Sequence, residues 1–131
     1  MRQFAWVIPA AATCLSVAWA ADHTTDRLDT VKQTVADKDK KAVIVDVREE
    51  NEWKDGHLKD ATLLPLSDLR TGVTAEKLKE KLGDAKVLYL HCGSGKRCLT
   101  AADLLKKQGY DVRPLKDGFQ ALVKAGFEPA K

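Results

Sequence analysis

The residues with the clearest capacity for chemistry form one short loop in the second half of the chain. Cys92 follows an apolar run, and the loop continues with Gly93, Gly95, Lys96 and Arg97. The two glycines let the backbone curl so tightly that successive N–H groups point inward and form an anion-binding nest. A helix that begins directly after the loop adds free N–H donors and a partial positive charge. We therefore predict that Cys92 has a depressed pKa and acts as a thiolate nucleophile.

Two cations of the same loop support this prediction. Lys96 and Arg97 favour the thiolate electrostatically and offer hydrogen-bond donors to an incoming oxyanion. The competing interpretation makes Cys92 a small buried hydrophobe, as free cysteines often are. A polar, flexible and basic loop is a poor place for a packing residue, so we favour a reactive cysteine. A phosphate-binding P-loop does not fit, because Leu90 stands where its first glycine should be and Arg97 replaces its serine or threonine.

The elements that must position this loop alternate along the chain between strands and helices. Short apolar, mostly β-branched runs predict strands, and apolar residues at helical spacing predict helices. Strands are predicted over 42–47, 61–64, 87–90 and 111–115, and helices over 24–37, 49–54, 75–82, 98–108 and 118–125. This order predicts an α/β fold in which a mostly parallel sheet is covered by helices on both faces. Ligands bind beyond the carboxyl ends of such strands, where the loop after residue 45 and the loop at Cys92 both lie.

A wider set of residues resembles a known family. In chain order the set is Asp46-Val47-Arg48, Glu52-Trp53, Gly56-His57-Leu58, Ala61, Pro65 and the strand that runs into Cys92. Over roughly residues 43–122 the sequence resembles a rhodanese domain, and most closely the small exported single-domain thiosulfate sulfurtransferases. The resemblance implies a single three-layer domain, residues 21–131, with a parallel sheet of four to five strands. A fifth strand would come from the stretch near Asp22, or the sheet is trimmed to four.

The resemblance also implies an activity. In that family the cysteine takes the outer sulfur of thiosulfate, becomes a persulfide, and passes the sulfur to cyanide or to a thiol. Carried over, Cys92 is the nucleophile, Asp46 and Arg48 support the site, and His57 braces a turn. The backbone N–H groups of the loop would hold the persulfide and the departing sulfite, and two cations would bind the dianionic donor. The expected substrate-binding residues are Gly93, Ser94, Gly95, Lys96, Arg97 and Cys98. No metal and no cofactor is implied.

Two positions depart from the pattern of that family. Asp60 stands where the family's G-H-x-x-G-A string has a glycine. Asp117-Gly118 with Phe119 stands where the family often has a Gly-Gly pair and a tryptophan. The predicted closing helix, residues 118–125, is therefore expected to pack differently. Neither change lies in the predicted catalytic loop, residues 92–98.

Other functions remain open at this stage. Cysteine phosphatases of related fold need C-x5-R, whereas Cys92 and Arg97 are spaced C-x4-R, and no general acid is evident. A thiol redox or oxyanion-reducing protein would use Cys98 as the resolving thiol for Cys92. Helical periodicity instead places Cys98 on a core face, together with Ala101 and Leu105. A non-catalytic binding module would fit the fold, because a fold alone does not guarantee activity.

The first twenty residues have the pattern of an export signal. Arg2 supplies a positive start, residues 4–19 carry no charge, and Ala18-Trp19-Ala20 has the small-x-small pattern of a signal peptidase site. We predict that Ala21 is the first mature residue and that the protein is periplasmic or secreted. An uncleaved anchor and a lipoprotein linkage through Cys14 are the less favoured alternatives.

The composition limits the class of partner. The formal net charge is +3, and basic and acidic residues are interspersed, which argues against binding to nucleic acid or to a membrane surface. Anion recognition must therefore be local. We expect a monomer whose partners are a small sulfur-containing anion as donor and a thiol or cyanide as acceptor.

Overall fold

The computed structural model describes residues 21–131, and the predicted signal peptide lies outside the described residues. Six helices and four strands follow one another in an alternating order, with a 3₁₀ turn at Lys38–Lys40. The elements are α1 (Leu28–Ala36), β1 (Ala42–Asp46), α2 (Glu50–Asp55), β2 (Ala61–Leu63), α3 (Leu66–Thr71), α4 (Ala75–Leu82), β3 (Val87–His91), α5 (Lys96–Lys106), β4 (Asp111–Pro114) and α6 (Phe119–Lys124).

The four strands form one parallel sheet in the order β2-β1-β3-β4. This confirms the predicted α/β fold. In the described part of the chain the sheet is trimmed to four strands, because the stretch near Asp22 adds none. Instead, the N–H of Thr24 donates a hydrogen bond of 2.8 Å to the carbonyl of Pro114, at the end of β4.

Helices cover both faces of the sheet, so the domain has three layers. Successive residues of a strand point to opposite faces, and β1 accordingly sends Val45 into one core and Ile44 into the other. The first core packs β1 and β3 against α3, α4 and α5, and its fully buried residues include Leu88, Leu90, Ala101, Ala102 and Leu105. The second core packs the opposite face against α1 and α6, with Val31, Leu58, Tyr89 and Leu122 at its centre.

Several helix ends differ from the sequence prediction by one or two residues, and three differences bear on the site or on the core. The first helix begins at Leu28 rather than at residue 24, because Thr24 is held against β4. The helix after the catalytic loop begins at Lys96 rather than at Cys98. The short helix α3 was not predicted, because Pro65 indicated the end of the predicted strand 61–64 and not the start of a helix. Two leucines of α3, Leu66 and Leu69, are buried, and their spacing of three residues was the available signal.

Within residues 21–131 no helix is both long and apolar enough to cross a membrane.

Candidate active site

The two loops singled out from the sequence meet at the carboxyl edge of the sheet. Asp46, the last residue of β1, lies opposite His91, the last residue of β3. The N–H of Val47 donates to the carbonyl of His91 at 3.1 Å, which joins the backbones of the two loops. Cys92 therefore leaves the sheet directly beside the Asp46–Arg48 loop. This is the edge at which parallel α/β sheets bind their ligands.

The sulfur of Cys92 lies in the nest predicted for it. Cys92 is fully buried, and the N–H of Gly95 donates to its Sγ at 3.1 Å. The hydrogen bond from the Cys98 thiol is the largest influence on Cys92 and lowers its pKa; backbone N–H groups of Cys98, Gly95 and Arg97 act in the same direction. Burial opposes them, and the pKa of Cys92 is lowered to about 6. At neutral pH the site therefore holds a thiolate.

Cys98 has the opposite character. It is fully buried in the first turn of α5, and within residues 21–131 neither it nor Cys92 forms a disulfide. Its hydrogen bond to Cys92, and then its burial, raise the pKa of Cys98 far above the usual range of a thiol. Cys98 consequently keeps its proton and donates it to the Cys92 sulfur. The core position predicted from the helical periodicity is confirmed by the burial of Cys98 with Ala101 and Leu105.

The outer part of the loop is open to solvent. Gly93, Ser94 and Lys96 are exposed, whereas Gly95 is buried. Gly95 has φ +87, a left-handed conformation that glycine adopts without strain, and it is the N-cap of α5. Of the predicted loop residues, Gly95, Arg97 and Cys98 direct backbone N–H groups at the Cys92 sulfur. Lys96 is the exposed cation on the solvent side, at the first residue of α5.

Arg97 is held by a partner that the sequence analysis did not identify. Its Nη1 and Nη2 donate to the two carboxylate oxygens of Glu52 at 2.6 and 2.9 Å. The hydrogen bond from Arg97 is the main reason that the pKa of Glu52 is lowered to about 2. Glu52 in turn closes a capping box with Glu49 at the start of α2. In this state Arg97 ties the catalytic loop to α2, and its charge is offset by a carboxylate.

Asp46 and Arg48, the two residues predicted to support the site, form a buried ion pair beside the Cys92 loop. Arg48 donates from Nη2 to Asp46 Oδ2 at 2.8 Å and from Nε to Oδ1 at 3.0 Å, and both residues are buried. The same Nη2 donates to the carbonyl of Gly56 at 2.7 Å, and the guanidinium lies 5.0 Å from the centre of the Phe119 ring. One buried ion pair thereby joins the first loop, the end of α2 and the start of α6.

Among the described residues, His91 and His57 also lie near the two loops, and neither ring forms a hydrogen bond with the Cys92 sulfur. His91 is fully buried with its Nε2 3.6 Å from Asp46 Oδ2, and burial lowers its pKa, so the ring is neutral. Among the described residues neither of its ring nitrogens has a hydrogen-bond partner. His57 stacks on Trp53 at 3.7 Å and bonds through Nδ1 to the Trp53 carbonyl at 2.8 Å. His57 therefore braces the turn, which is the role the resemblance implied.

Gly118 is a site residue whose role the sequence analysis missed. A Cβ at this position would lie 2.3 Å from the carbonyl oxygen of Gly93 and 3.0 Å from that of Cys92. The backbone before α6 therefore touches the backbone of the catalytic loop, and only a glycine leaves room for it. The sequence indicated only that Asp117-Gly118 differs from the Gly-Gly pair that the family often has here. The signal available was a glycine at the first position of the predicted helix over 118–125.

Comparison with known proteins decides the family. Residues 28–125 match the model described as the Rhodanese-like domain. The chain belongs to this family. It is 37% identical over 82 residues to the uncharacterized protein YqhL of Bacillus subtilis, which covers 62% of this chain and 60% of that protein. It is 33% identical over 79 residues to a putative mitochondrial thiosulfate sulfurtransferase of Schizosaccharomyces pombe, covering 55% of this chain and 56% of that one.

A solved structure agrees with the fold of this rhodanese-like protein. The human single domain sulfurtransferase TSTD1 superimposes with a TM-score of 0.60, and the match covers 74% of this chain and 92% of that one. At 22% identity this likeness shows the fold alone. The chain spans about three fifths of the length of the two curated relatives, at 60% and 56%. The family therefore supports sulfurtransferase chemistry in general.

The thiolate of Cys92 predicts a pH profile for alkylation of this rhodanese-like protein. The pKa is depressed, so the reactive anion is lost as pH falls through about 6 and is fully present above it. We expect the rate of reaction with iodoacetamide to rise with a midpoint near pH 6.

Cys98→Ala removes the strongest donor to the Cys92 thiolate and is expected to raise the midpoint of this profile by about one to two pH units. Cys98→Ser keeps a donor and is expected to shift it less. An unchanged midpoint in Cys98→Ala would contradict the assignment of Cys98 as donor.

Gly118→Ala is expected to displace the catalytic loop. The added Cβ collides with the Gly93 carbonyl, and the displaced loop loses N–H donors to the thiolate, so the pKa of Cys92 should rise by about one unit or more. The alkylation profile measures this. Gly109→Ala is the matched control, because Gly109 has φ +94 with nothing within 4 Å of its Cβ position. It should lower the free energy of unfolding by about 1 kcal/mol and leave the profile unchanged.

Proposed function

We propose that this rhodanese-like protein is a sulfurtransferase that carries a sulfane sulfur as a persulfide on Cys92. The observation that supports this is the buried thiolate of Cys92, with its pKa lowered to about 6 by thiol and backbone N–H donors. A persulfide anion on the same residue would extend into the nest of N–H groups, which suits a singly charged sulfur. The loop is also one residue shorter than that of a C-x5-R phosphatase, which leaves less room for a tetrahedral phosphate.

The proposed reaction has two sulfur transfers. The Cys92 thiolate attacks the outer sulfur of thiosulfate, a new S–S bond forms, and the bond to the sulfite group breaks, so that sulfite leaves with the electron pair. Cys92 then carries a persulfide anion. In the second transfer cyanide or a thiolate attacks the terminal sulfur, which leaves as thiocyanate or as the persulfide of the acceptor. The Cys92 thiolate is regenerated, and no external oxidant or reductant is consumed.

The charges around the loop support an anionic donor. Lys96 is exposed at the start of α5, where its ammonium group adds to the partial positive charge of the helix N-terminus. Arg97 is paired with Glu52 and contributes little net charge in this state. We therefore assign donor attraction chiefly to Lys96 and to the backbone of Gly93 and Ser94. The similarity to a putative thiosulfate sulfurtransferase of Schizosaccharomyces pombe supports thiosulfate as the donor.

A thiol redox function is the second candidate, and the contact between Cys92 and Cys98 favours it. For this function Cys98 would attack a sulfenate or persulfide on Cys92, which requires a Cys98 thiolate. Its hydrogen bond to Cys92 and its burial raise the pKa of Cys98, and this disfavours the attack. The same contact serves sulfur transfer better, because a protonated Cys98 stabilises the anion on Cys92.

Intact-protein mass spectrometry tests the proposal. The reduced protein is exposed to thiosulfate beside Cys92→Ser and Cys98→Ser, and we expect a gain of about one sulfur atom that is absent only in Cys92→Ser. Addition of cyanide should remove the sulfur and release an equal amount of thiocyanate. No gain of sulfur in any variant, together with a loss of two protons on mild oxidation, would overturn the proposal in favour of the redox function.

We also propose that the protein is exported to the periplasm or secreted, with Ala21 as its first mature residue. The backbone nitrogen of Ala21 lies 2.8 Å from Asp103 Oδ1. A free amino group at Ala21 would carry a positive charge beside this carboxylate, and the charge-free run and small-x-small pattern of residues 1–20 support cleavage after Ala20. Expression of the full chain in a bacterium, followed by intact mass of the protein from the periplasmic fraction, is expected to give the mass of residues 21–131. A chain that retains residues 1–20 in the membrane fraction would indicate an anchor instead.

A further inference from the structure

The segment before α1 lies on the catalytic loop. We call this segment, residues 21–26, the N-terminal strap. His23 Nε2 lies 2.8 Å from the carbonyl oxygen of Gly95, and the imidazole is half-buried. A carbonyl oxygen can only accept a hydrogen bond, so Nε2 carries the proton and donates it. The strap therefore supplies a hydrogen bond to the residue whose own N–H binds the Cys92 sulfur.

The strap is anchored on both sides of this contact. Each anchor joins it to a different element of the domain, so the position of the imidazole does not depend on one flexible side chain. The anchors are the hydrogen bond from the Ala21 nitrogen to Asp103 of α5, the hydrogen bond from the Thr24 nitrogen to Pro114 of β4, and the hydrogen bond that Asp26 accepts from Tyr89 of β3 at 2.7 Å. Ala21 is itself buried in the core that contains Cys92.

Gly95 is the point at which this contact reaches the sulfur. Its left-handed conformation, φ +87, turns its N–H toward Cys92 Sγ, and its carbonyl faces the strap. The position that a Cβ of Gly95 would occupy lies 3.2 Å from His23 Nε2 and 3.0 Å from the Lys116 carbonyl, so the strap packs closely on this turn. The hydrogen bond at the Gly95 carbonyl restricts rotation of the backbone at this residue, so the Gly95 N–H is less free to turn away from the sulfur.

We propose that His23 is a positioning residue of the active site, which acts through Gly95 to keep the loop N–H groups directed at the sulfur of Cys92. The role in sulfur transfer rests on the proposed function, because the persulfide would bind the same N–H groups as the thiolate. The role in thiolate stabilisation does not depend on any sulfur donor. The imidazole donates from Nε2 in both its neutral and its protonated form, so this contact is available at either charge.

The test compares four substitutions in the strap by the pH profile of iodoacetamide alkylation. His23→Ala removes the donor, and the midpoint for Cys92 is expected to rise by about half a unit to one unit, which lowers the thiolate fraction below the midpoint about three- to tenfold. His23→Gln places an amide N–H near the position of Nε2 and is expected to restore the midpoint. His23→Asn is too short to reach Gly95 and is expected to behave like His23→Ala. Thr25→Ala, an exposed position in the same segment, is the control and is expected to match the wild type.

A general loss of structure would not reproduce this pattern. Gln and Asn carry the same side-chain amide and differ in length by one methylene group, so opposite behaviour of the two variants identifies the hydrogen bond. Equal midpoints in His23→Ala and the wild type would overturn the proposal, as would equal midpoints in His23→Gln and His23→Asn.

The same variants separate this inference from the proposed function. The formation of the Cys92 persulfide with thiosulfate is measured by mass spectrometry in each of them. If the wild type gains no sulfur but His23→Ala still shifts the alkylation midpoint, the proposed function fails and the positioning role is supported. If the wild type gains sulfur and His23→Ala gains it at the same rate with an unshifted midpoint, the positioning role fails and the function is supported.

Discussion

A negatively charged sulfur inside the protein is the constraint on which the rest of this structure depends. Burial alone raises the pKa of a thiol, so the thiolate of Cys92 exists only because donors surround it. Most of these donors are backbone N–H groups, which a side-chain substitution cannot remove and which a small shift of the loop can misdirect. The loop must therefore be held at several points. The Cys98 thiol of α5 donates to the sulfur, the backbone at Gly118 packs on the loop backbone, and His23 of the N-terminal strap donates to the Gly95 carbonyl.

Two ion pairs frame the loop without taking part in the proposed chemistry. The pair between Asp46 and Arg48 is buried, and the desolvation of such a pair offsets much of its attraction, so its effect is on geometry more than on stability. The pair between Arg97 and Glu52 is about one-third exposed on each side and connects α5 to α2. Because Arg97 is held in this way, the local positive potential depends on Lys96 and on the helix end.

Much of this architecture could be predicted before the structure was known. The β-branched run before Asp46 and the apolar run before Cys92 are buried parallel strands, as their lack of alternation indicated. The periodicity of α5 correctly placed Cys98 in the core. The prediction failed where a residue's environment comes from a distant part of the chain. The carboxylate that binds Arg97 is 45 residues away, and the strap that holds Gly95 comes from 72 residues away. The short helix α3 was missed because it starts directly after Pro65, which ends the predicted strand 61–64, and its buried residues supply only one helical spacing.

The sequence by itself determined the place of Cys92 after a buried strand, the alternation of the four strands with all helices but α3, and the family. These follow from local information: a cysteine between a buried strand and a glycine-containing loop, and apolar residues at the spacing of each element. Only the tertiary structure decided which groups surround the sulfur. Hydrogen bonds and close backbone contacts depend on distances of a few ångströms between residues far apart in the chain, and no local pattern encodes them. For that reason the proton of Cys98, the missing Cβ of Gly118 and the imidazole of His23 became recognisable only in the folded domain.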